Sequence, residues 1–104
     1  MSSLLNESPN LRAALLLSIQ RALLGEVTPN IRAVTCRIDP DRIVLRWIVD
    51  GAISNELKGD LGAIGTEVVA DFSTHQISEE FVRCDAPADI RSYYLDDIAY
   101  LRKG

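Results

Sequence analysis

The sequence predicts an α+β fold: an antiparallel four-stranded sheet with two main helices packed on one face, in the order α-β-β-α-β-β. Three observations predict it. Leu11, Leu15, Ile19, Ala22 and Leu23 recur with the spacing of one helix face, and Leu57, Leu61, Ile64 and Val68 do so again. Between these rows, residues 31–49 alternate around Asp39-Pro40-Asp41 in the manner of a β-hairpin. Short connections between the remaining strand-like runs favour antiparallel pairing. The 104 residues fit one domain, 1–104, long enough to hold a hydrophobic core without disulfides.

Residues 1–7 read as a loose or docking segment. Ser8 then caps the first helix with Pro9 in its first turn. The inward stripe from Leu11 to Leu23 is widened by Leu16 and Leu24, Gly25 ends the helix, and Arg12 and Arg21 fall on the solvent side. A turn at Val27-Thr28-Pro29-Asn30 leads into the strand Ile31–Ile38, where Arg32, Val34, Cys36 and Ile38 alternate with Ile31, Ala33, Thr35 and Arg37. The next strand, Arg42–Val49, places Ile43, Leu45, Trp47 and Val49 on one face and Val44, Arg46 and Ile48 on the other, with Trp47 expected to be buried. Ser54 caps a second helix over about 55–71, and Phe72 continues its apolar row. Gly59, Gly62 and Gly65 each cost a helix about 1 kcal/mol relative to alanine, which leaves open whether 58–66 is helix or loop. A third strand is expected at about Ser78–Asp85. It is followed by a break at Ala86-Pro87-Ala88-Asp89, a short helical turn within Ile90–Leu95 and a last strand at Ile98–Arg102.

The charge is unevenly spread. The net charge is −4, yet residues 1–49 hold six bases and four acids, while residues 50–97 hold eleven acids and three bases. Phosphates require a basic surface, so this distribution argues against direct nucleic-acid binding and suits a basic protein partner. Glu56, Asp60, Glu67 and Asp71 fall within an arc of about 60° on the second helix, about 90° from its apolar row. Like charges four apart cost a helix roughly 0.2–0.5 kcal/mol per pair, and this face holds two such pairs. A face that tolerates this repulsion is a candidate for meeting a cation, although a solvated acidic surface accounts for any one of the four. Tyr94, Asp96 and Asp97 make a second candidate patch, because tyrosine beside acids has the composition of a binding hot spot.

Chemistry is less in evidence. Cys36 and Cys84 lie in apolar, strand-like runs without the spacing of a disulfide motif or a metal site, and are expected to be buried thiols. His75 is the sole histidine, and no nucleophile signature accompanies it. Gly59-x-x-Gly62-x-x-Gly65 lacks both the lysine of a P-loop and the spacing of the dinucleotide fingerprint. No catalytic residue, metal ligand or cofactor is therefore assigned. The absence of a basic n-region and of a bilayer-length apolar run points to a cytoplasmic protein with no membrane partner.

Leu23-Leu24-Gly25-Glu26-Val27-Thr28-Pro29-Asn30-Ile31-Arg32-Ala33-Val34, Trp47-Ile48-Val49-Asp50-Gly51, Thr66-Glu67-Val68-Val69-Ala70-Asp71-Phe72 and Tyr100-Leu101-Arg102-Lys103 together resemble small bacterial immunity proteins of contact-dependent growth inhibition and related polymorphic toxin systems. The resemblance implies a non-enzymatic inhibitor of a sibling's toxin domain, often a nuclease, and carries no binding residues with it. Joined to the charge pattern, it gives the expectation of a cognate basic toxin domain, an RNase, held by Glu56, Asp60, Glu67 and Asp71 with Tyr94, Asp96 and Asp97. The other readings are a small enzyme or ligand-binding module with a cleft near His75 and Asp71, and a regulatory adaptor.

Overall fold

A computed structural model of the protein describes residues 8–72 and 74–103, with side chains from residue 11 onward. The expected N-terminal segment 1–7 and the side-chain cap at Ser8 lie outside the described residues. The chain runs α1 (Ser8–Leu23), β1 (Ile31–Asp39), β2 (Arg42–Val49), α2 (Asn55–Asp71), β3 (Gln76–Arg83), a 3₁₀ turn (Arg91–Tyr93) and β4 (Asp97–Leu101). This is the predicted element order.

The sheet is mixed, which corrects the expectation of a wholly antiparallel one. Its strand order is β3-β2-β1-β4, with β1 antiparallel to β2 and β4, and β3 parallel to β2. The physical reason is the length of α2. Seventeen helical residues rise about 25 Å, the length of an eight-residue strand at about 3.3 Å per residue. The helix therefore returns the chain to the level where β2 began, and β3 leaves in the same direction as β2. The connection judged short is a full crossover.

A second crossing follows from the same pairings. β3 and β4 run in one direction on opposite edges, so residues 84–96 traverse the face of the sheet that the helices leave open. There Cys84 and Ile90, with half-buried Tyr94, pack on Ala33 and Ile48. On the helix face, Leu15, Ile19, Leu61 and Val68 pack on Val34, Leu45, Trp47 and Val49. This two-sided cover explains why Ile31 through Cys36 are all buried.

The strict alternation predicted for β1 fails at its first two residues. A bulge lies between Ile31 and Ala33 in the pairing with β2. Ile31 thereby joins the helix-side core, and Arg32 donates from Nη1 to the carbonyls of Cys84 at 2.9 Å and Ala88 at 2.8 Å. The guanidinium ties down the start of the crossing segment. Leu24, predicted to widen the α1 stripe, is 77% exposed because the helix has ended at Leu23. Gly25 holds φ +77°, the left-handed conformation expected of a residue just past a helix end.

α2 is continuous through all three glycines, and Gly65 shows why it tolerates one of them. A Cβ there would lie 1.8 Å from Oε1 of Glu79. Glu79 pairs with Leu45 and so occupies the helix-facing side of β3, where an apolar residue is the norm. Its Oε1 and the Trp47 indole nitrogen are both buried without a hydrogen-bond partner. Burial pushes the Glu79 carboxyl above the usual glutamate range, and the nearby indole offsets this only in part.

Two expectations follow. A raised folded-state value means that the contribution of Glu79 to stability is present below the ordinary glutamate pKa and is lost as pH rises through the raised one. Glu79→Gln should thus have a higher urea midpoint than the parent at about pH 7, and the gap should close toward about pH 4. Arg32→Ala leaves two carbonyls of the crossing segment without their donor and should cost about 1–3 kcal/mol in the same measurement.

Candidate partner-binding surface

Ser54 starts α2 by accepting the N–H of Leu57 on its Oγ at 3.0 Å, and Glu56 in the first turn complements the positive end of the helix. Leu57, Leu61, Ile64, Gly65 and Val68 are buried. Glu56, Asp60, Glu67 and Asp71 are exposed beside that row. Because the helix does not open at 58–66, the four carboxylates share one helix rather than forming two separated pairs.

Their surroundings differ. Asp71 accepts a hydrogen bond from Ser18 Oγ at 2.6 Å, so α1 already holds its carboxylate. Glu56, Asp60 and Glu67 form no ion pair among the described residues. Other acids do. Arg12 pairs with Asp97, Arg37 with Asp39, Arg46 with Glu80, Arg83 with Asp85, Arg91 with Asp89, and Arg102 with Asp50. The hydrogen bond from the Arg91 side chain, joined by its backbone N–H, holds the Asp89 carboxyl down to about 2. Arg83 and the Gly51 N–H lower Asp85 in the same way. Six acids of the strands and loops are thus balanced by an arginine, and Glu56, Asp60 and Glu67 of α2 are not.

Asp60 and Glu67 flank a groove of about 330 Å³ whose other side is the turn between α1 and β1. Leu57, Leu61, Ala63 and Ile64 line it from the helix, and Glu26 and Thr28 from the turn. In that turn Leu24 and Val27 are exposed apolar residues. Glu26 was missed in the sequence because it lies outside any helix; only the packing of the turn against α2 brings it beside Asp60 and Glu67.

The second predicted patch is divided. Tyr94 packs in the cluster on the outer face of the sheet. Asp97 pairs with Cys36 on the helix face and accepts Arg12 Nε at 3.0 Å, leaving its side chain 15% exposed. Asp96 is exposed and lines a cleft of about 580 Å³ with Arg12, Asp39, Asp97, His75 and three apolar residues. A cleft at His75 is therefore present, but Asp71 does not line it, and neither does a thiol. Burial first, and the Asp97 charge second, push the Cys36 thiol up to about 12, far from a nucleophile's range. Among the described residues, no three metal-binding side chains converge and no helix is long and apolar enough to cross a membrane.

The exposed carboxylates of α2 and the groove beside them make this small sheet protein a candidate protein-binding module. The family comparison gives that class its name: residues 12–104 match the model described as MafI2 immunity protein. The match spans every element but the first four residues of α1, and the chain belongs to the MafI2 immunity protein family. No curated protein matches the chain.

The Ser18–Asp71 bond sets an expectation of its own. Ser18→Ala should cost no more than about 1.5 kcal/mol in denaturant midpoint, since Asp71 is exposed and water replaces the lost donor.

Proposed function

We propose that this immunity protein works in the bacterial cytoplasm against the toxin of a contact-dependent growth inhibition or related polymorphic toxin system. It acts by binding alone. The exposed face of α2 lies against a basic surface of a nuclease toxin domain, an RNase, where the phosphates of its substrate would otherwise sit. The observation that carries this reading is the unpaired state of Glu56, Asp60 and Glu67 beside six acids that are paired with arginines. Carboxylates without internal partners lose little by meeting an external cation, and their field steers association toward about 10⁸ M⁻¹s⁻¹ at low salt. Membership of an immunity family supports a toxin as the partner. Leu24 and Val27 supply apolar contact from the turn that borders the groove.

The test is affinity for the toxin domain encoded beside this gene, measured at two salt concentrations. Reversing Glu56, Asp60 and Glu67 to lysine should weaken binding by at least about tenfold and flatten its salt dependence, mainly through a slower on-rate. Unchanged affinity with an unchanged salt slope would remove α2 from the interface. A toxin domain that is acidic on its binding face would remove the electrostatic basis altogether.

A further inference from the structure

The two edges of the sheet are treated differently. β3 carries Glu79 on its helix-facing side and Glu80 and Arg83 along its length. A strand docking there would finish burying the Glu79 carboxylate, and an inward charge of this kind is a recognised guard against edge pairing. β4 is guarded only at its start, where the inward charge of Asp97 is already held by Arg12. Between Asp97 and Leu101 it reads Ile-Ala-Tyr, its outer edge carries no strand among the described residues, and Ile98 and Leu101 are 42% and 52% exposed.

The register of β4 says what fits this edge. Thr35 pairs with Ile98 and Val34 with Tyr100, so one extra residue is accommodated between them. As a result Ile98 lies opposite Thr35 and Leu101 opposite Ala33, two β1 residues of the same face. Ile98 and Leu101 therefore share the outer face, although three positions apart. An antiparallel neighbour needs side chains of one face opposite each other. A second β4 meets that need: Ile98 of one copy falls opposite Leu101 of the other, and two steps outward Asp96 falls opposite Lys103. Asp96 and Lys103 form no ion pair within the chain among the described residues, whereas Asp97 and Arg102 are held by Arg12 and Asp50. Beside the same edge lies a shallow cleft of about 340 Å³, where Ile90, Tyr94 and Leu101 offer apolar contact to the incoming isoleucine within a rim of Arg91, Asp89 and Arg102.

We propose that two copies of the chain join through β4, antiparallel and about a two-fold axis, into one continuous eight-stranded sheet. Each copy contributes one Ile98–Leu101 contact and one Asp96–Lys103 pair in each direction. Two five-residue strands make a small interface, so the dimer forms at high micromolar concentration rather than nanomolar. The acidic face of α2 takes no part in it.

Sedimentation equilibrium of the full chain from about 10 µM to about 1 mM tests this. The parent should pass from monomer to dimer, and hydrogen exchange at Asp97–Leu101 should slow across the same range. Leu101→Lys should remain monomeric throughout. Asp96→Lys should weaken the dimer several-fold at low salt, and the pair Asp96→Lys with Lys103→Asp should restore it. A parent that stays monomeric at 1 mM overturns the proposal, as does a dimer that Leu101→Lys leaves intact. Failure of the double charge exchange to restore association overturns the register. All three positions are exposed, and circular dichroism confirms that each variant is folded before its mass is read.

Discussion

Because β3 lies parallel to β2, the chain has to travel the length of the sheet between them, and α2 is the element that makes this journey. Much else depends on that one pairing. It fixes α2 along the sheet with Leu57, Leu61, Ile64 and Val68 turned inward, and so presents Glu56, Asp60 and Glu67 outward. It makes β3 an edge. It also sets β3 and β4 in the same direction on opposite edges, which obliges residues 84–96 to cross the other face. The cover over Ala33 and Ile48 is a consequence of the crossover on the far side.

The two covers are built by different physics. On the helix side, burial of large apolar side chains such as Trp47, Leu15 and Leu61 does the holding. On the other side the cluster is small, and polar contacts anchor it: Arg32 to two carbonyls, Arg46 Nη1 to the carbonyl of Tyr93 at 3.0 Å, and Thr35 Oγ1 accepting the N–H of Leu95 at 3.2 Å. The same split appears in the charges. Arg32, Arg37, Arg46, Arg83, Arg91 and Arg102 are spent on local carboxylates and backbone carbonyls, while Lys58, the lone cation of α2, sits 5.9 Å from the ring of Phe81 rather than against an acid. Three unpaired carboxylates, Glu56, Asp60 and Glu67, thereby share one helix.

Local signals carried most of the elements. The hairpin around Asp39-Pro40-Asp41, the α1 row from Leu11 to Leu23 and the α2 row from Leu57 to Val68 each occupy a single contiguous stretch with one period, and each formed where it was predicted. What escaped depends on contacts distant in the chain. The direction of β3 is set by the rise of α2 against the length of β2, not by any residue in β3. The bulge that exchanges Ile31 and Arg32 reflects carbonyls more than fifty residues away. Tyr94, Asp96 and Asp97 look like one patch in sequence, but a strand begins at Asp97 and its alternation sends neighbours to opposite faces. The glycines of α2 were legible as a cost; what Gly65 accommodates, a carboxylate from another strand, was not.

The separation along α2 between a buried row and an exposed row has a bearing on how such proteins diversify. Positions 60 and 67 take no part in the crossover's packing or capping, and Glu56 only complements the first turn, so these exposed side chains can be replaced while the topology stays as it is. On the proposed reading, a single helix serves as a rewritable address on a constant scaffold. New partner preference needs only surface exchanges of charge and shape, whereas a change at Leu61 or Val68 would be felt by every strand. A lineage that must keep pace with an altered adversary can alter this face repeatedly, and the sheet beneath need not register that anything has changed.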